Sequence, residues 1–119
     1  MANRKQNKVE KSYIEYKGEK YELVFNLNVM EEIQNEYGSV EAWGKLVEES
    51  EEPKAKDIKY GFKAMLNEGI DIYNEENGSD RPYFTDKQVG RLVTEIGLHE
   101  AAKKLNKTVI ASTKSDEKN

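Results

Sequence analysis

Tyr21-Glu-Leu-Val-Phe-Asn-Leu-Asn-Val-Met-Glu-Glu-Ile-Gln-Asn-Glu-Tyr-Gly-Ser-Val-Glu-Ala-Trp-Gly-Lys-Leu46 is the stretch that decides the fold. Tyr21, Leu23 and Phe25 alternate with Glu22 and Val24, so one face of a short strand carries large apolar groups that need a cover. Asn28 then offers a side-chain oxygen to the free N–H groups of the next turn, and Glu31 stands where a capping-box carboxylate reaches back. The helix predicted there lines up Val29, Met30, Ile33 and Tyr37 on one stripe, with Glu31, Glu32, Gln34, Asn35 and Glu36 on the polar side. Gly38 can end that helix and Ser39 can cap a second one, whose stripe is Val40, Trp43, Leu46 and Val47.

Upstream, Ser12 to Tyr16 reads as a first strand, Lys17-Gly18-Glu19 as a turn, and Lys20 to Phe25 as the second strand of a β-hairpin. Two strands alone are marginal in water, so this hairpin must lie on helices or pair with another chain's edge. Before it, residues 1–11 hold Arg4, Lys5, Lys8 and Lys11 without apolar periodicity and are expected to form a flexible basic arm.

Downstream, the acidic run Glu48 to Glu52 ends at Pro53 and reads as an exposed connector. From about Lys54 to Asn74, Ile58, Phe62, Met65, Leu66, Ile70 and Tyr73 step by three and four and predict the central helix. Gly61 and Gly69 each weaken it by roughly 1 kcal/mol relative to alanine, which marks them as points of close packing. A turn-rich loop, Glu75 to Pro82, precedes Tyr83 and Phe84. Thr85 and Gln88 then form a second capping box, with Phe84 in a hydrophobic-staple position. Val89, Leu92, Val93 and Ile96 make the fourth stripe, Gly97 ends it, and Leu98, Ala101, Ala102 and Leu105 predict a fifth helix of about two to three turns. Residues 112–119 are expected to be a disordered polar tail, leaving 12–111 as one globular domain. The class is α+β, mainly α: an N-terminal β-hairpin packed on about five short-to-medium helices.

At 119 residues one core of moderate extent is possible. Charged residues make up 35% of the chain and mean hydropathy is −0.93, values near those of disordered proteins, but the apolar residues are periodic and rich in tyrosine. No apolar run exceeds three residues, which excludes a membrane-spanning helix, and no apolar segment follows the basic residues at the start as a secretory signal would require. The absence of cysteine removes disulfides and thiolate chemistry and fits a reducing cytoplasm. A net charge of −4 argues against general nucleic-acid binding.

No group of residues predicts catalysis, a cofactor or a metal. His99, the single histidine, has no second ligand or orienting partner in view. Glu31, Glu32 and Glu36 lie on the polar side of an amphipathic helix, where solvation explains them. The segment Glu100-Ala101-Ala102-Lys103-Lys104-Leu105-Asn106 resembles the first helix of a DNA-binding helix-turn-helix. The helix that would enter the groove, however, would start near Thr108 in a short stretch rich in β-branched and acidic residues.

Tyr21-Glu-Leu-Val-Phe-Asn-Leu-Asn, the helix ending Glu36-Tyr37-Gly38-Ser39, Trp43, and the Ile96-Gly-Leu to Ala101-Ala102 region together resemble the tail assembly chaperones of long-tailed phages and prophages of Gram-positive bacteria. The resemblance covers about Ser12 to Ala111. It implies a non-enzymatic protein of the bacterial host cytoplasm that keeps the tape-measure protein soluble and recruits tail-tube subunits while the tail assembles. A small helix-turn-helix regulator and a structural tail component are the alternatives. Such a chaperone needs a groove or edge that accepts amphipathic helices. Tyr13, Tyr16, Tyr60 and Tyr83 are the candidate protein-binding surface, although aromatic residues in small domains are mostly packed in the core. The unpaired hairpin edges also offer a route to a homo-oligomer.

Overall fold

The computed structural model describes residues 11–49 and 51–118, with the main chain alone at Glu49 and residues 114–118. Of the expected basic arm only Lys11 lies within the described residues. Strands β1 (Ser12–Tyr16) and β2 (Glu19–Leu23) pair antiparallel, with Ser12 opposite Leu23 and Tyr16 opposite Glu19. The turn takes two residues where three were expected. Lys17 at φ 51° and Gly18 at φ 81° give the doubly left-handed turn that matches strand twist. Ile14 and Leu23 point into the core, and Phe25, beyond the end of β2, packs on it from the side.

Helix α1 (Leu27–Tyr37) starts earlier than the sequence predicts. Its cap is Asn26, whose Oδ1 accepts from Val29 N at 3.2 Å, so the expected Asn28 cap with its Glu31 partner is corrected. The amides of both asparagines are drawn to another helix: Asn26 Nδ2 and Asn28 Nδ2 donate to Glu68 Oε2 at 2.8 and 3.0 Å. Val29 and Ile33 are buried, and Gly38, at φ 91°, ends the helix. Ser39 caps α2 (Val40–Gly44), accepting from Ala42 N at 3.0 Å. A π-helical turn, Lys45–Glu49, follows directly. Its wider spiral turns Val47 into the core and leaves Leu46 44% exposed, although an α-helical stripe would have buried both.

Helix α3 (Ala55–Asn77) is the axis of the fold. Ile58, Phe62, Met65, Leu66 and Ile70 are fully buried against the other elements, and each such burial contributes about 1.5–3 kcal/mol. The two glycines mark close approaches. A Cβ on Gly61 would fall on the Trp43 ring, and one on Gly69 would fall on the carbonyl oxygen of Glu22. Tyr73, the last residue of the predicted stripe, is instead half-exposed under the Arg81 guanidinium, 3.9 Å from its ring centroid. Arg81 also lies 4.5 Å from the Tyr21 ring and pairs with Glu19 at 2.8 Å, tying the loop after α3 to the hairpin.

Helix α4 (Asp86–Ile96) opens with the predicted box: Gln88 N donates to Thr85 Oγ1 and Thr85 N to Gln88 Oε1. Phe84 and Val89 are both buried, as a staple requires. Helix α5 (Leu98–Lys118) is far longer than the two to three turns expected, and residues 112–118 are helical rather than a disordered tail. Hydroxyl bonds explain the difference. Thr108 Oγ1 donates to Lys104 O at 2.9 Å and lies 3.0 Å from Ser12 Oγ, and Ser112 Oγ donates to Phe25 O at 3.2 Å. The bonds to Ser12 and Phe25 dock this β-branched, polar run, as far as Ser112, on the hairpin and the residues that follow it. Thr108, where a separate groove-entering helix would have begun, is buried within this continuous helix.

Candidate functional site

Trp43 and Tyr37 anchor the corner at which α3 begins. Trp43 Nε1 donates to Asp57 O at 3.0 Å, and the Tyr37 hydroxyl donates to Asp57 Oδ1 at 2.7 Å. Asp57 itself is 3% exposed, so the phenol supplies a hydrogen bond to a carboxylate withdrawn from water. Burial, then the bond to Asp57, pushes the Tyr37 phenol well above the ordinary tyrosine range. The Tyr60 ring meets the Tyr37 ring edge-on at a centroid distance of 5.5 Å, and its hydroxyl donates to Glu32 O at 2.9 Å. Burial and the carboxylates of Glu32 and Glu36 raise the Tyr60 phenol as well.

From this corner a groove of about 710 Å³ follows the outer face of α3, bounded by α1 on one side and by Tyr83 and Asp86 on the other. It runs from Lys56 to Asp71, roughly four helical turns or about 22 Å at the standard rise. Its charge is graded along that length. Lys56, Lys59 and Lys63 line the end nearer the start of α3, whereas Glu68 and Asp71 line the other. Asp86 draws the lysines in, 3.2 Å from Lys59 Nζ and 3.9 Å from Lys63 Nζ. Tyr83 is 56% exposed, and its hydroxyl donates to Asp71, the contact that chiefly raises its phenol. The floor between the charges is Val29 and Ala64.

Two of the four sequence-predicted surface residues, Tyr60 and Tyr83, therefore share this groove. Tyr13 and Tyr16 lie on the hairpin. Tyr16 packs edge-on against Phe84 at 5.1 Å, half-buried, while Tyr13 is 43% exposed with Lys20 Nζ 5.1 Å from its ring centroid. The groove's charged residues were not singled out from the sequence. Their signal is the spacing Lys56, Lys59, Lys63, which repeats at helical period along one flank of the Ile58 stripe.

The arrangement offers hydrogen bonds, charge and modest apolar area to a ligand lying along a helix. His99 is exposed at the start of α5, and among the described residues no cluster of His, Cys, Asp and Glu could hold a metal ion. Nor, among them, is any helix long and apolar enough to cross a membrane. Comparison of the chain with family models, with curated proteins and with solved structures found no match.

Proposed function

We propose that this chain is a non-enzymatic tail assembly chaperone of a long-tailed phage, acting in the host cytoplasm on the tape-measure protein. The observation that supports a binding role is the graded groove along α3, with Tyr60 and Tyr83 beside it. Its length matches about four turns of a partner helix, and its charge order gives such a helix a preferred direction. The resemblance of the Tyr21 to Trp43 region supplies the identity of the partner. A tape-measure protein is a long helical chain with exposed apolar stripes, which this reading covers one helix at a time until the tail closes around it.

The test is co-expression with the tape-measure protein encoded in the same genome, followed by size exclusion of the soluble fraction. The tape-measure protein is expected to become soluble and to co-elute, and Lys63→Glu with Tyr83→Ala should abolish co-elution while the chaperone stays folded. A tape-measure protein that stays insoluble beside abundant folded chain ends this reading.

A further inference from the structure

The two outer edges of the hairpin are unlike. In a two-residue hairpin the closing pair, Tyr16 and Glu19, exchanges hydrogen bonds, and so do Ile14 with Tyr21 and Ser12 with Leu23. The backbone groups of Lys20, Glu22 and Val24 therefore point outward from β2, and those of Lys11, Tyr13 and Glu15 point outward from β1. On the β2 side these positions are occupied. Lys20 O accepts from Arg81 Nη1 at 3.2 Å, Glu22 O lies against Gly69, and Val24 N donates to Met65 O at 3.3 Å. On the β1 side, among the described residues, the outward groups have no hydrogen-bonding partner. That edge borders a groove of about 510 Å³, with Leu92 and Ile96 on its far side.

We propose that this open edge is closed by the same edge of a second copy of the chain, antiparallel and centred on Tyr13. Outward-pointing residues must face one another across such a pairing. Centring on Tyr13 sets Tyr13 against its own counterpart, Lys11 against Glu15 of the second copy, and Glu15 against Lys11 of the second copy. An aromatic pair flanked by two opposite-charge pairs is a favourable cross-strand set. Three other registers are worse. Centring on Lys11 or on Glu15 opposes like charges directly, and centring on Ile14 brings Lys11 opposite Lys17. Lys11, Tyr13 and Glu15 are all exposed, so the pairing takes nothing from the core, and it turns a marginal two-stranded sheet into a four-stranded one. The inference stands on the hairpin and the charge order alone and does not depend on the chaperone reading.

Sedimentation velocity of the full chain over a concentration series, without any partner, tests it. The wild type is expected to pass from monomer to dimer. Lys11→Glu alone and Glu15→Lys alone each convert both attractive pairs into repulsive ones and should raise the dissociation constant by roughly tenfold or more. An equimolar mixture of the two variants restores opposite charges at both positions and should dimerise again. Lys11→Glu leaves the hairpin's own Glu15 and Lys20 pair in place, so it reads the edge even if Glu15→Lys loosens the hairpin. A wild type that stays monomeric throughout, a dimer indifferent to both substitutions, or a mixture that fails to recover each overturns the proposal. The first of these would leave the edge to an extended segment of a different protein.

Discussion

The two faces of α3 are built on opposite terms. Its inner face is closed by Ile58, Phe62, Met65, Leu66 and Ile70, with Gly61 and Gly69 letting Trp43 and the hairpin backbone approach without a gap. Its outer face carries Lys56, Lys59, Lys63 and Asp71, side chains that reach water and could exchange their present partners for a ligand's. On one face a residue is held by volume, and on the other by charge. Substitutions on the first should therefore change stability, and substitutions on the second should change binding.

The sharpest way to break that division is Trp43→Ala, which empties a buried site and removes the bond to Asp57 O. A loss of about 3–5 kcal/mol is expected from chemical denaturation. Gly61→Ala should cost about 1–3 kcal/mol by overpacking, and less in a Trp43→Phe background, where the smaller ring gives way; equal losses in both backgrounds would show that the glycine acts through something else. Gly69→Ala has no such remedy, because the atom it meets is main chain.

Tyr37→Phe should cost less than Trp43→Ala, about 1.5–3 kcal/mol, since it strands a buried carboxylate. It also carries a pH signature. The folded phenol ionises above its unfolded value of 10.0, so its contribution is complete below that pH and is lost as pH rises through the higher folded value. Melting curves should show the wild type losing stability above that pH and the phenylalanine variant losing less. Lys63→Ala on the outer face should shift stability by no more than about 0.5 kcal/mol while weakening capture of the proposed partner helix. A large loss of stability from Lys63→Ala would dissolve the distinction between the faces.

The same division explains what could be read from the sequence. The inner face was legible because burial imposes a period: the Ile58 to Ile70 stripe, the two glycines, the Thr85 box and the Gly38 stop all lie where spacing places them. Failures came where a local signal had a rival. Asn26 and Asn28 are equally good caps by type, and both amides reach Glu68; what separates them is the extended backbone at Asn26, φ −138°, from which its Oδ1 accepts from Val29 N. Thr108 to Thr113 reads as a helix end until Ser12 and Phe25 are brought to its hydroxyls. The groove was half legible. Tyr60 and Tyr83 stood out as surplus aromatics, but no spacing within the chain says that α1 and the start of α4 will flank the lysines of α3.

The contact between Gly61 and Trp43 also bears on inheritance. Each fills space the other leaves, so across descendants of this sequence the two positions should behave as a single character. A side chain gained at 61 must follow, or be followed by, a smaller ring at 43. Positions 56, 59 and 63 carry no such packing constraint, and 59 and 63 are tied to each other only through the Asp86 carboxylate they share.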